Sequence, residues 1–159
     1  MEGSTLIPVE EYLSTSYRPD REYVDGTLVE RNVGEWDHSE LRMALSAYLF
    51  NRRRELNIHV LPEQRVQVKA TRFRVPDVCV VTGDEPREQI LTSPPFLCVE
   101  ILSKDDRMSE MQERIDDYLS FNNPKKARKA ALRVRCDRPG RDGSRFCRAR
   151  TRESPSMRP

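Results

Sequence analysis

Asp77 and Glu100 are single acids set inside apolar runs, Val75-Pro76-Asp77-Val78-Cys79-Val80-Val81 and Phe96-Leu97-Cys98-Val99-Glu100-Ile101-Leu102. A lone carboxylate carried into an apolar sheet loses several kcal/mol of hydration, so it takes up a proton or finds a cation. Two such acids on neighbouring strands invite one metal ion. Alternate residues of a strand share a face, which groups Asp77 with Cys79 and Val81, and Glu100 with Cys98, Leu102 and Lys104. Pro76 removes a ladder donor just before Asp77, which suits an acid at a strand edge or bend. A hard divalent ion such as magnesium prefers oxygen ligands and keeps several waters, and two carboxylates with a backbone carbonyl satisfy it. An ion held in this way lowers the pKa of a bound water and neutralises charge on a phosphodiester under attack.

The surrounding pattern supplies elements that could hold such a pair. Pro8 followed by Val9, Tyr12 and Leu13 predicts a short helix to about residue 14. Asp25-Gly26 between Glu22-Tyr23-Val24 and Thr27-Leu28-Val29-Glu30 predicts a hairpin, since the turn needs positive φ angles. His38, Leu41, Leu45, Tyr48 and Leu49 recur with a period near 3.6 and predict a helix over 38–55, with Asp37 and Glu40 as a box-like start. Strands are expected over 58–61, 64–69, 73–82 and 96–103, the last two central and covered on both sides. The proline-rich stretch 83–95 between them reads as a surface loop. Ser109 and Gln112 open a second helix whose face is Met111, Ile115, Tyr118 and Leu119, ending near Phe121.

Length and charge bound the rest. The 159 residues suffice for one domain with a real core. The chain carries 28 Lys/Arg and 26 Asp/Glu, yet residues 122–159 hold 13 basic and 3 acidic residues, against 15 and 23 in residues 1–121. Periodicity also stops after Asn122-Asn123-Pro124, so 122–159 is expected to be a basic tail without stable structure. Such a tail binds nucleic acid through counterion release whatever its origin. Cys79 and Cys98 lie in the apolar runs and form no C-x-x-C pair, and two histidines make a Cys/His zinc cluster an unattractive reading. No stretch is long and apolar enough to span a bilayer and the N-terminus has no apolar leader, so a cytoplasmic protein without membrane partners is expected.

The ordered segments Val9-Glu10-Glu11-Tyr12-Leu13, Tyr23-Val24-Asp25-Gly26 with Glu30, His38 opening a helix, Gln64-Arg65-Val66, Arg74-Val75-Pro76-Asp77, Val99-Glu100-Ile101-Leu102-Ser103 and Arg114-Ile115-Asp116-Asp117-Tyr118 resemble the Uma-type restriction endonuclease family of the PD-(D/E)XK nuclease superfamily. The resemblance covers about residues 5–121. It implies an α/β fold with a restriction-endonuclease-like mixed sheet flanked by helices, and magnesium-dependent hydrolysis of DNA phosphodiesters, with manganese as an alternative ion. Asp77, Glu100 and the carbonyl of Ile101 would hold the ion, and Glu30 would be an additional acid near it. A homodimer is compatible with the resemblance, because related nucleases often pair to cut two strands, although no dimer seam is visible in the sequence.

Two departures qualify the resemblance. Leu102 stands where the motif has lysine; the matching cation on the following helix is Arg114, and Lys104, in phase with Glu100, is the other candidate. A guanidinium can hold phosphate but stays protonated and cannot act as a base. Beyond Phe121 the family continues with a Val-Trp-Val-containing strand that this chain lacks, so the C-terminal strand is expected to be missing or altered. A change of reading frame near Asn122 would account for the simultaneous loss of resemblance, periodicity and acids. Plainer readings stand beside each site residue. Either acid can be a strand-end carboxylate bonded to backbone donors or to Arg74, and Glu30 can be a solvated hairpin residue. His38 can be a core or capping histidine, and Arg114 and Lys104 can form surface pairs with Asp117 or Asp106. The alternatives to a nuclease are a degenerate member that binds nucleic acid or a partner without cutting, and an inert truncated product.

Overall fold

The computed structural model describes residues 6–31, 34–84, 88–103, 106–121, 130–136 and 147–153. After the short helix α1 (Val9–Ser14), strands β1 (Arg21–Val24) and β2 (Thr27–Glu30) form the expected hairpin. Asp25 and Gly26 take φ of 48° and 94° at its turn. Asp25 tolerates that conformation because its carboxylate accepts hydrogen bonds from Thr71 Oγ1 at 2.6 Å and Arg72 Nε at 2.7 Å. The helical stretch expected over 38–55 is two pieces, α2 (Trp36–Asn51) and α3 (Arg53–Leu56). Strands β3 (Ile58–Pro62), β4 (Val66–Lys69) and β5 (Arg72–Arg74) follow.

The apolar run expected as one strand over 73–82 breaks at Val75-Pro76-Asp77, so β5 belongs to one sheet and β6 (Val78–Thr82) to another. Proline has no N–H to give a ladder, and the segment crosses between sheets there. The first sheet is antiparallel, in the order β2-β1-β5-β4. In the second, β7 (Leu97–Leu102) lies beside β6, as the near-continuous apolar runs required. Helix α4 (Met108–Ser120) then leads to β8 (Ala130–Cys136) and β9 (Cys147–Glu153), giving the mixed order β3-β6-β7-β8-β9.

Strand β8 runs parallel to β7. A strand does follow α4 at this place in the sheet, and within the stretch expected to lack structure, residues 130–136 and 147–153 are strands. A parallel neighbour needs a crossover connection, and α4 supplies it. The remaining residues of 122–159 lie outside the described residues.

Val78, Val99 and Ile101 meet Leu41, Leu45 and Leu49 of α2 on one face of the mixed sheet. Cys79 and Cys98 meet Val66, Val68, Leu91 and Tyr118 on the other. Helix α2 thus uses a narrower stripe than expected. Tyr48 lies at its edge, 54% exposed, with Arg52 over its ring at 4.6 Å. Neither expected capping box forms: the N-cap positions are Glu35 and Arg107, without a side-chain cap hydrogen bond.

Candidate active site

The register Val78↔Val99, Cys79↔Cys98 and Val80↔Leu97 sets Asp77 across from Glu100 when continued by one residue. Opposite residues of an antiparallel pair share a face and stand close together. Asp77, Glu100, Ile101, Arg31, His38 and Arg114 line one pocket, of about 30 Å³, with Ser103 and Asp106 at its wall. Both acids are buried, at 3% and 4% exposed.

Every oxygen of Asp77 has a partner. Oδ2 accepts the backbone N–H of Ile101 at 2.7 Å. Oδ1 takes Arg31 Nη2 at 3.0 Å and lies 3.3 Å from His38 Nε2. Burial pulls the Asp77 pKa upward, but the hydrogen bonds from His38 and Ile101 and the charge of Arg31 outweigh it, and the carboxyl sits below its ordinary value. Glu100 goes the other way. Burial, reinforced by the charge of Asp77 and only partly offset by Arg114, pushes it up to about 8. Tyr118 donates its hydroxyl to Glu100 Oε1 at 2.5 Å.

The two arginines are anchored from behind. Arg31 reaches Glu63 at 3.3 Å as well as Asp77. Arg114 Nε donates to Glu22 Oε2 at 3.2 Å. Glu22 is fully buried; it also accepts Arg74 Nη1 at 2.9 Å and the N–H of Val75 at 3.1 Å, which pins the crossover segment that delivers Asp77. Arg74 in turn meets buried Asp117 at 2.8 Å. For both Arg31 and Arg114, burial alone would lower the pKa, but the surrounding carboxylates raise it above the ordinary value.

Of the residues singled out in the sequence, Asp77, Glu100, Ile101, His38 and Arg114 come together. Glu30 does not. It ends edge strand β2 and pairs with Arg21 at 2.7 Å, 70% exposed. Lys104 lies outside the described residues. Leu102 is buried against Met111 and Ile115. Sequence reasoning missed Arg31 and Glu22. Glu22 alternates with Tyr23 in a hairpin strand, a pattern that reads as a solvent face, and Arg31 merely follows the hairpin.

The family model of the Uma2 family, described as "Putative restriction endonuclease", matches residues 9–124. The chain belongs to the Uma2 family. Among solved structures, the chain is similar to a protein from Anabaena variabilis ATCC 29413 described as a putative nuclease belonging to DUF820. The TM-score is 0.69 at 18% identity, covering 95% of this chain and 87% of that one. That likeness supports the α/β architecture of the Uma2 member described above. No curated protein matches the sequence.

Proposed function

We propose that this Uma2 protein is a magnesium-dependent endonuclease that hydrolyses DNA phosphodiester bonds. The observation that carries the reading is the convergence of Asp77 and Glu100 from paired strands into one pocket, with two arginines beside them. The donor set that lines the pocket is two carboxylates, Asp77 and Glu100, supplemented by the backbone of Ile101. It suits a hard ion. Glu100, held protonated up to about pH 8 by burial and by Asp77, ionises readily once a dication offsets both. In a strand, the N–H and C=O of one residue project to the same side, so the Ile101 carbonyl faces the side on which its N–H meets Asp77.

Asp77, Glu100 and the Ile101 carbonyl would hold magnesium, with manganese as an alternative. The bound ion supplies Lewis acidity and a water of lowered pKa. Arg31 and Arg114 bind the phosphate and balance the negative charge that grows on its oxygens. Neither can take a proton from water. His38 orients Asp77 through Oδ1. Lys104, in phase with Glu100 in the sequence, stays in this proposal as a further candidate cation, and Glu30 as an outlying acid.

Calorimetric titration with magnesium and manganese tests the reading, run beside cleavage and binding assays on duplex DNA. Asp77→Ala and Glu100→Ala should abolish ion binding and lower cleavage by more than the ~10–100-fold that loss of an outer partner costs, with DNA binding retained. Undiminished ion binding in both variants would refute it. One observation favours a second reading, that of a non-cleaving nucleic-acid-binding or partner-binding member: buried Leu102 leaves an apolar cluster at the motif lysine position. A protein of that kind shows salt-sensitive DNA binding and no cleavage in the wild type.

A further inference from the structure

Helix α2 has a second apolar face that stays largely exposed among the described residues. Leu41, Leu45 and Leu49 pack on the mixed sheet, whereas Trp36, Met43 and Phe50 recur every seventh residue on the opposite side. They are 78%, 70% and 49% exposed. Small exposed Ala44 and Ala47 lie between them and let another backbone approach closely. An apolar stripe this concentrated marks an interaction surface, and Trp and Met are enriched in such surfaces.

Its ends carry opposite charge. Glu35, Asp37 and Glu40 cluster at the N-terminal end of the helix, and Arg52, Arg53 and Arg54 follow its C-terminal end. Arg53 already lies over the Phe50 ring, 3.8 Å from its centroid, so the positive charge sits on the stripe itself. A second copy of α2 laid antiparallel brings acid to base at both ends at once and opposes the two helix dipoles. A parallel copy brings like to like.

We propose that this face joins two copies of the chain about a two-fold axis, α2 against α2 and antiparallel, with Trp36 packed against the arginine end of its partner. The pairing is self-complementary, as an isologous contact must be, and the cation–π contact between Trp36 and a guanidinium recurs on both sides of the axis. Because α2 also carries His38 into the candidate site, the contact fixes the two sites relative to each other.

Sedimentation velocity and light scattering on the full chain test the proposal. The wild type should run as a dimer at micromolar concentration. Trp36, the only tryptophan, should show blue-shifted emission that moves red on dilution. Trp36→Glu and Met43→Glu should each weaken self-association about tenfold or more, with the far-UV circular dichroism of the folded chain unchanged because both side chains project from the surface. Either variant alone is sufficient if the other fails to fold. Arg53→Glu should weaken the dimer and remove much of its salt dependence. A wild type that stays monomeric at hundreds of micromolar, or variants that pair as tightly as wild type, would overturn the proposal. So would blue-shifted tryptophan in a monomer, which would place another segment of the same chain over the stripe.

Discussion

Glu100 carries a large electrostatic tension in the site. Its carboxyl is pushed to about 8 in the fold against an ordinary value of 4.5, chiefly by burial and then by Asp77. A raised acid binds its proton more tightly in the folded than in the unfolded chain, so the stability it contributes is fully present below about pH 4.5 and is lost as pH rises through about 8. Without divalent ions, urea denaturation should show stability falling over that window by a few kcal/mol. Glu100→Gln, which still accepts the Tyr118 hydroxyl, should flatten the slope. Magnesium should restore stability at pH 8 in the wild type and not in the variant. An identical pH slope in both proteins would contradict this account of the residue.

At the level of elements, the acids are presented by a join between two sheets, and the join is clamped by charge. Buried Glu22 holds Arg74, Arg114 and the Val75 N–H, and Asp117 of α4 holds Arg74 together with Arg72 and Lys69. Removing one member of a buried ion network strands the others, so Arg74→Ala should cost about 3–5 kcal/mol in chemical denaturation. Asp117 is held below its ordinary pKa: burial raises it, but the hydrogen bond and charge of Arg74 prevail. Its contribution is present above about pH 4 and disappears as pH falls through the folded value, so Asp117→Asn should flatten the acid limb of the stability profile. Little of this clamp could be read from sequence. The strands β6 and β7 and the helix α4 were visible as apolar runs and as a 3.6 period, because burial imposes those patterns locally. Glu22, Arg31 and Asp117 find their partners 32 to 92 residues away in sequence, and no local pattern encodes such a pairing. The break at Pro76 was readable as a bend, yet not as a change of sheet, since one proline serves either.

For the molecule as a whole, the family match ends at Pro124, close to the point where acidic residues thin out. The backbone nevertheless continues the mixed sheet. Ala130–Cys136 pairs along the full length of β7, from Leu97↔Ala130 to Leu102↔Arg135. Truncation after Phe121 would leave the strand carrying Glu100 as an open edge with unpaired amides and carbonyls. We expect the shortened chain to aggregate and to lose its cooperative thermal transition, measured by light scattering and calorimetry. A soluble fragment that melts like the full chain would show β8 to be dispensable. Composition alone pointed to an unstructured tail there, because a strand with alternating Arg is masked in a segment whose basic residues recur throughout.

The two acids oppose each other only because β6 and β7 keep one phase. Side chains in a sheet alternate with period two, so slippage by a single position would turn one carboxylate toward α2 and leave the other behind. The connection over 83–95 can therefore gain or lose residues while the pair survives. Deleting any one residue between Leu97 and Val99 would separate them, even with the hydrophobic content of the strand intact.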